Sequence, residues 1–225
     1  REQNSADGMT SKLLLGLPDG NSVETVLMHH DYGYSVCVSS QVGCDMHCAF
    51  CASGLKGAVR NLEAAEIVAQ VYLFNERLRE KNALVSRVVV MGSGEPMLNF
   101  DNVLGALDFL HNEAACNMSY RNMTLSTCGI IPGIKRLTEQ GKPINLAISL
   151  HAVKNELRTE LMPVNKGFPF VDVLSAAEEY SKASGRQITY EYILLKNKND
   201  SAQDAELLSN YLRFKQVSVN LIPAN

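Results

Sequence analysis

Residues 35–51 read Ser35-Val-Cys-Val-Ser-Ser-Gln-Val-Gly-Cys44-Asp-Met-His-Cys48-Ala-Phe-Cys51. The segment begins with a short run rich in valine, which is typical of a strand buried on both faces. It continues into a loop, Gln41 to Arg60, in which three cysteines fall within eight consecutive positions. The stretch therefore predicts a buried strand that delivers a group of thiols directly after its carboxyl end.

The rest of the chain alternates strand-like and helix-like segments. Strands are predicted at Ser35–Ser40, Ser86–Met91, Asn122–Thr127, Asn145–His151, Ile188–Leu195 and Val217–Ile222. Helices are predicted at Leu62–Lys81, with Asn61 as its N-cap, and at Asn102–Asn112, Pro132–Gln140, Asn155–Leu161, Phe170–Ser184 and Ala202–Phe214. Six β/α units in sequence favour a parallel sheet with helical crossovers.

This order predicts an α/β protein built as a partial (β/α)6 barrel, because six units are too few for a closed eight-unit barrel. Before the first unit, Pro18-Asp19-Gly20 separates two apolar runs, and this tripeptide supplies turn dihedrals. We expect residues 1–34 to form an N-terminal β-hairpin extension and residues 35–225 to form the barrel.

In such folds the chemistry takes place where strands end and the following loops begin. The candidate residues fall at these positions: the cysteines after the first strand, Gly92–Pro96 after the second, Ser126–Gly129 after the third and Ser149–His151 at the fourth. Asn225 lies just past the sixth. Their shared position predicts a single site.

Cys44, Cys48 and Cys51 would supply three thiolates from a short loop. Thiolates are ligands of iron–sulfur clusters and of zinc, and both commonly take four ligands. Three local ligands would leave one iron of a cluster open to bind a small molecule. The alternative is a structural zinc completed by His47, Cys37 or Cys128. Spacing alone leaves both possibilities open.

Composition restricts the function less than the cysteines do. The formal net charge of -3 gives no global signal for nucleic acid, although a local basic face remains open at Lys56, Arg60, Lys135, Arg136, Lys154, Arg158 and Lys166. No apolar run is long enough to span a bilayer. The polar N-terminal segment has no apolar signal core, so we expect a cytoplasmic protein with no membrane partner.

A Cys-x3-Cys-x2-Cys motif with an aromatic residue, Phe50, before the last cysteine resembles the signature of radical S-adenosylmethionine (SAM) enzymes. Gly94-Glu95-Pro96 is similar to a second motif of that superfamily. The resemblance implies a [4Fe-4S] cluster whose open iron binds SAM, and reductive cleavage of SAM to a 5′-deoxyadenosyl radical. It also implies an electron donor such as flavodoxin or ferredoxin.

A narrower resemblance, to the RlmN/Cfr group of RNA adenine methyltransferases, covers about 200 residues. Seven motifs carry it, in order: Asn21-Ser-Val-Glu-Thr-Val26, Cys37-Val-Ser-Ser-Gln-Val-Gly-Cys44, Met91-Gly-Ser-Gly-Glu-Pro-Met-Leu-Asn99, Leu125-Ser-Thr-Cys-Gly129, Leu146-Ala-Ile-Ser-Leu-His151, Met162-Pro-Val-Asn165 and Val219-Asn-Leu-Ile-Pro223. It implies methylation of an adenosine in 23S rRNA, and in tRNA for the RlmN branch, through a methyl-cysteine intermediate. We expect the protein to act as a monomer.

The same resemblance implies roles for individual residues. Glu24 matches the family's general base, and Cys37 matches the cysteine that releases product through a transient disulfide. SAM-contacting positions are matched by Gly94, Glu95, Ser126, Ser149, Leu150, His151 and Asn225. Without the motif, Glu24 would be a solvated carboxylate, Cys37 a small core residue and His151 a hydrogen-bonded core histidine. Cys116 and Cys128 receive no role beyond structure.

The chain also departs from the family pattern. Ser93 stands where methionine is usual, and the methyl-carrying cysteine with its Cys-Gly-Gln neighbourhood is absent, as is an N-terminal helical domain. We therefore expect a catalytic-domain fragment that binds the cluster and SAM but cannot complete methyl transfer by itself. C2 of adenine is favoured over C8, which the Cfr branch modifies. The alternatives are C8 methylation, a radical SAM enzyme with a non-RNA substrate, and a zinc module.

Overall fold

The computed structural model describes residues 1–224, which divide into two compact units. The first unit contains Arg1–Asp45 and Ser53–Leu125, and the second contains Met46–Ala52 and residues 126–224. No helix in residues 1–224 is long and apolar enough to cross a bilayer. The proposed boundary between residues 34 and 35 stays a prediction.

The first unit begins with an antiparallel meander and continues into parallel strands. Its strands are β1 (Glu2–Asn4), β2 (Thr10–Gly16), β3 (Ser22–His30), β4 (Gly33–Val38), β5 (Gln41–Gly43), β6 (Ala58–Asn61), β7 (Val85–Val90) and β8 (Met123–Thr127). Neighbouring strands from β1 to β4 pair antiparallel, whereas β4 pairs parallel with β7 and β7 pairs parallel with β8. The predicted hairpin is therefore present as β2 and β3, and it continues into β4.

Helices α1 (Ala64–Leu78) and α2 (Phe100–His111) belong to the same unit and pack on each other. Helix α1 buries a stripe of residues at helical spacing, Ile67, Val71, Phe74 and Leu78, as its sequence pattern predicts. The same face carries Gln70, whose side-chain amide accepts from Ser39 N at 2.8 Å and donates to Ser39 O at 3.0 Å. These two bonds satisfy the backbone of Ser39 just after β4 ends.

The second unit contains three parallel strands and four helices. The strands are β9 (Asn145–Ser149), β10 (Ile188–Leu194) and β11 (Val217–Pro223), with β10 between the other two. The helices are α3 (Ile131–Glu139), α4 (Asn155–Leu161), α5 (Phe170–Ser184) and α6 (Ala202–Leu212). Each helix connects consecutive parallel strands or packs beside them, so the predicted alternation of strands and helices is confirmed.

Two local predictions are wrong. Asn61 does not cap α1, because it ends β6 and accepts a hydrogen bond from Gln41 Nε2 at 2.7 Å. The helix begins after Glu63, whose N–H donates a hydrogen bond to the Glu66 carboxylate at 2.9 Å. The segment Gln41–Arg60 is also not entirely loop, since its ends pair as β5 and β6. Strands of three and four residues are too short for a periodic sequence pattern to reveal.

Gly43 controls how this small pair of strands is closed. Its φ of 78° lies in the left-handed region, and a Cβ placed there would lie 2.0 Å from Gly57 O. A side chain would therefore push apart the two ends of the segment that joins β5 to β6, residues 44–57, which contains the three cysteines and is called the cysteine loop below. The position requires glycine both for its dihedral angle and for the close approach of the Gly57 backbone.

We expect Gly43→Ala to lower the free energy of unfolding by at least about 2 kcal/mol, since the left-handed conformation alone costs alanine roughly 1–2 kcal/mol. Gly16→Ala is the matched control, because no atom lies within 4 Å of a Cβ there. It should stay within about 0.5 kcal/mol of the wild type. Urea unfolding of both variants measures the difference, and equal stabilities would contradict the proposed clash.

Candidate active site

Cys44 lies at the start of the cysteine loop, directly after β5, and is buried. Its N–H donates to Gly57 O at 3.2 Å, and the next residue, Asp45, accepts from Ala58 N through its carboxylate at 2.6 Å. Both bonds join the beginning of the loop to the residues that lead into β6. The first thiol is therefore held by the β5–β6 pair.

The middle of the loop, Met46–Ala52, belongs to the second unit and forms a tight turn. Cys51 N donates to Cys48 O at 3.0 Å, and Ala49 N donates to Leu161 O at the end of α4 at 2.9 Å. The edge of the Phe50 ring meets the ring of His151, with 4.6 Å between centroids. Cys48 and Cys51 are thus attached to the end of α4 and to the residues that follow β9.

The thiols have the donor chemistry of an iron–sulfur site. None of the six cysteines is in a disulfide, so the structure gives no support to a disulfide bond; Cys48 is half-buried and Cys51 is exposed. Within residues 1–224 no three His, Cys, Asp or Glu side chains gather into a group that could hold a metal ion. The fit therefore rests on the donors themselves, which are three thiols within eight residues of sequence.

Gly94 and Glu95 follow β7 and pack against the residues before the cysteine loop. A Cβ on Gly94, whose φ is 108°, would lie 2.7 Å from Gln41 N and from Ser40 Oγ. Glu95 is only 3% exposed; its N–H donates to Gln41 Oε1 at 2.8 Å, and its Oε1 accepts from Met97 N at 3.1 Å. A carboxylate is thus buried at a strand end, where a cationic ligand would stabilise its charge.

The hydroxyl of Ser40 lies beside Gly94 and is almost completely buried. In residues 1–224, Ser40 Oγ is the one buried side-chain oxygen or nitrogen atom without a hydrogen-bond partner. Buried polar atoms are nearly always paired, so an exception marks a place where a polar ligand or water fits. This orphaned donor next to Glu95 is consistent with a polar ligand at the end of β7.

Glu24 and Cys37 lie on adjacent strands and share one face of the sheet. Cys37 on β4 is directly opposite Val26 on β3, and Glu24 lies two residues before Val26. Residues opposite each other in an antiparallel pair point to the same face, and diagonal neighbours there are about 7–8 Å apart. Glu24 is half-exposed and forms an ion pair with Lys12 Nζ at 3.0 Å.

The Cys37 thiol is in its protonated form at neutral pH. Burial raises its pKa to about 11, and a hydrogen bond from the backbone of Met91 only partly opposes that shift. Because the thiolate is the reactive form, Cys37 is inert until a base removes its proton.

Ser126 lies near the end of β8, and Ser149 is the last residue of β9. Ser149 O and Leu150 O both accept hydrogen bonds from the Arg158 guanidinium, at 3.2 and 3.1 Å. A third bond, 2.8 Å long, joins the same guanidinium to Cys128 O after β8. One buried side chain from α4 thus holds the backbone at the ends of these two strands.

His151 follows β9 in a left-handed conformation with φ of 57° and is nearly fully buried. Its Nδ1 accepts from Ile193 N at 3.0 Å, which leaves the proton of the neutral ring on Nε2. Asn199 Nδ2 donates to its carbonyl at 2.7 Å. Non-glycine residues in this conformation are held by their surroundings and occur often at functional sites.

The sequence missed the role of Arg158. We predicted it as part of a basic face, but it is fully buried in the structure. Two other members of that predicted face are paired with acids, Arg60 with Asp19 and Glu66, and Lys154 with Asp204. The available signal was helical spacing, because Arg158 is three residues before the buried Leu161 and so lies on the apolar face of α4.

The candidate residues thus form one group in each unit. Glu24 and Cys37 share a sheet face in the first unit, where Gly94 and Glu95 also contact the residues that precede Cys44. In the second unit His151 contacts the cysteine loop, and Arg158 joins the backbone of the residues around Ser149. Asn225 lies outside the described residues. The roles of all these residues in binding and catalysis stay predictions.

Parallel β/α units and a loop with three cysteines are the features expected of a radical SAM enzyme. Comparison with known families confirms this class. Residues 38–208 match the model of the Radical SAM superfamily. The chain belongs to this superfamily. The predicted fold class, an α/β partial barrel of the radical SAM type, is supported by a solved radical SAM methyltransferase from Sphaerobacter thermophilus. That structure has a TM-score of 0.97 and 42% identity, and the match covers 100% of this chain and 66% of that one.

Curated relatives of the chain belong to a narrower class, the RNA methyltransferases. The chain is 49% identical over 224 residues to a "Probable dual-specificity RNA methyltransferase RlmN" from Symbiobacterium thermophilum, and 47% identical over 221 residues to a protein of the same name from Dictyoglomus turgidum. The alignments cover 100% and 98% of this chain but 60% and 64% of those relatives. The resemblance to the RlmN/Cfr group is confirmed, and the chain spans about three fifths of the length of these relatives.

Burial makes His151 a source of acid sensitivity. Its pKa is lowered to about 4, mainly by burial and further by the charge of Arg158. The unfolded chain, with a histidine pKa of about 6.5, binds this proton more readily than the folded chain does. The contribution to stability is therefore complete above about pH 6.5 and is lost progressively as the pH falls towards 4, by roughly 3 kcal/mol in total.

We expect His151→Asn to lose a smaller amount of stability between pH 7.5 and pH 4.5 than the wild type loses. Asparagine tolerates the left-handed conformation, and its side chain can accept the hydrogen bond from Ile193 N. Urea unfolding at several pH values measures the two slopes. Parallel slopes for the two proteins would show that His151 is not the group that titrates.

Proposed function

We propose that this chain is the catalytic core of a radical SAM methyltransferase that modifies C2 of a specific adenosine in 23S rRNA and in tRNA. The observation that carries the proposal is its identity of 47–49% with RlmN-named proteins over 98–100% of the chain. Their name describes dual-specificity RNA methyltransferases. The seven motifs that carry the resemblance include every candidate site residue except Cys48, Cys51 and Asn225.

Cys44, Cys48 and Cys51 would hold a [4Fe-4S] cluster, because their chemistry and number match a site with one open iron. When bound, the cluster and SAM supply one-electron reductive cleavage, which generates a carbon radical. The start of the loop is fixed by the β5–β6 pair, and Ala49 is fixed by the end of α4. The loop is thus anchored at one place in each unit.

Glu95 would bind the ammonium group of SAM. It is a buried carboxylate at a strand end, and charge-assisted hydrogen bonds to such a group are stronger than neutral ones. Ser126, Ser149, Leu150 and His151 would contact other parts of SAM, as the resemblance implies, together with Asn225. The Nε2–H of His151 is available as a donor, because Ile193 N occupies Nδ1.

Glu24 and Cys37 would act in release of the product. The resemblance implies that RNA becomes joined to a carrier cysteine through a methylene group. Glu24 would take the proton from the adenine carbon. The Cys37 sulfur would bond to the carrier sulfur as the carbon–sulfur bond breaks, and the released methylene carbon would take up a proton, in balance with the one that the Cys37 thiol loses. Oxidation of the two sulfurs to a disulfide balances reduction of the methylene to a methyl group.

The protein would work in the cytoplasm as a monomer, with a flavodoxin or ferredoxin as its electron donor. These statements rest on the resemblance alone. The carrier cysteine is expected in a Cys-Gly-Gln segment that these 225 residues do not contain. Tests of turnover therefore use the complete reading frame that encodes the chain, whereas tests of the cluster can use the chain itself.

Anaerobic reconstitution of the chain should give about four irons and four sulfides per molecule, with a visible absorption band. Cys48→Ala should lose them, because it removes one of only three ligands. Cys116→Ala is the matched control, since that half-buried cysteine lies outside the motif, and it should keep the full iron content. Stoichiometric zinc without visible absorption would instead support the zinc module.

The function itself is tested by incubating the complete gene product with SAM, a reductant and unmodified 23S rRNA or tRNA. Nucleoside mass spectrometry should detect 2-methyladenosine. Detection of 8-methyladenosine would favour the C8 alternative, and the absence of any modified adenosine would contradict an RNA substrate.

In the complete gene product, Cys37→Ala should still cleave SAM but should accumulate a protein–RNA crosslink that nuclease digestion collapses. Cys116→Ala should turn over normally, and normal turnover by Cys37→Ala would remove Cys37 from the mechanism.

A further inference from the structure

Arg158 is the largest side chain that the structure buries completely. It extends from α4, and its guanidinium donates to four acceptors. These are Leu150 O at 3.1 Å, Asn165 Oδ1 at 2.8 Å, Cys128 O at 2.8 Å and Ser149 O at 3.2 Å. The hydrogen-bonding capacity of the group is thus well satisfied, and by neutral partners.

The charge of Arg158 is not balanced in the same way. In residues 1–224 no carboxylate forms an ion pair with it, although exposed cations of the second unit such as Lys182 and Lys198 do have acidic partners. Burial lowers the pKa of Arg158 only to about 10, so the group stays positive at neutral pH. A buried charge without a countercharge is costly unless a ligand supplies one. The structure therefore predicts an anionic group close to Arg158.

The cysteine loop is the neighbour that could carry this anion. Ala49 N bonds to Leu161 O, one turn after Arg158 on the same helix, and Phe50 packs on His151. Cys48 and Cys128 are both close enough to Arg158 to interact with it electrostatically. Of these two, Cys48 belongs to the three-cysteine motif, so Arg158 lies next to a predicted cluster ligand.

We propose that Arg158 is a positioning residue whose buried positive charge raises the reduction potential of an iron–sulfur cluster bound through Cys48. The inference rests on the proposed function, because it requires the cluster. A [4Fe-4S] cluster with three thiolates is anionic, and taking up one electron makes it more so. A fixed positive charge in a medium of low dielectric constant stabilises the reduced form more than the oxidised form. The electron comes from the reductant that the radical SAM reaction already needs.

A purely structural role for Arg158 makes a different prediction. If its hydrogen bonds to the strand ends were all that mattered, removing the charge would lower stability without shifting the potential of the remaining folded protein. Lysine keeps the charge but loses the planar fork of donors, whereas glutamine keeps polar hydrogen bonding without charge. The two substitutions therefore separate the charge from the hydrogen-bond geometry.

Asn165 offers a second way to neutralise the charge without removing Arg158. Its Oδ1 accepts from Arg158 Nη1, so Asn165→Asp places a carboxylate against the guanidinium at nearly the same volume. Asn210→Asp is the matched control, since it adds the same charge at an exposed position of α6, where solvent screens it. Asn155 would not serve, because its oxygens accept hydrogen bonds from Asn165 Nδ2. Lys182→Gln controls for loss of a positive charge at the surface.

The experiment is a redox titration of the anaerobically reconstituted proteins, followed by electron paramagnetic resonance, with a thermal unfolding scan of each. Arg158→Gln and Asn165→Asp should both shift the midpoint to more negative potential, while Arg158→Lys, Asn210→Asp and Lys182→Gln should keep the wild-type midpoint. A folded Arg158→Gln protein with the wild-type midpoint would overturn the inference. If Arg158→Gln does not fold, an unchanged midpoint in Asn165→Asp overturns it. A wild type that binds no cluster would instead refute the proposed function.

Discussion

The pairing of β4 on both of its edges is the constraint on which the first unit depends. β4 binds β3 antiparallel on one side and β7 parallel on the other, so Cys37 lies opposite Val26 and beside Val89. A shift of one residue in either register would turn every β4 side chain to the opposite face. The same pairing fixes where β4 ends, and therefore where the cysteine loop and the loop after β7 begin.

Close backbone contact, more than flexibility, explains the glycines at these strand ends. A Cβ on Gly92 would lie 2.6 Å from Ser39 Oγ, and one on Gly94 would lie 2.7 Å from Gln41 N. The residues after β7 therefore lie against the residues after β4 without intervening side chains. That contact buries Glu95 beside Ser40, and it is made possible by the absence of a Cβ at two positions.

Buried polar groups characterise the strand ends of both units. Glu95, His151 and Arg158 are each at most 5% exposed, and their hydrogen bonds are made mainly to backbone atoms. Such groups lower stability relative to an apolar core unless they are satisfied, and they are retained where chemistry needs a fixed charge or a directed donor. Their concentration at the ends of the parallel strands is what the fold contributes to the proposed reaction.

The sequence alone determined the order of the β/α units, because apolar periodicity depends on local residues. The predicted bounds of α4 and α5 agree with the structure, and those of β9 and β10 differ from it by at most two residues. The cysteine motif with Phe50, together with Gly94-Glu95-Pro96, likewise pointed to the superfamily by resemblance, since motifs that are local in the sequence need no tertiary information. Only the tertiary structure decided that Arg158 is buried and that Glu24 and Cys37 share a face. Both depend on which distant segments pack together, and a single sequence does not record that pairing.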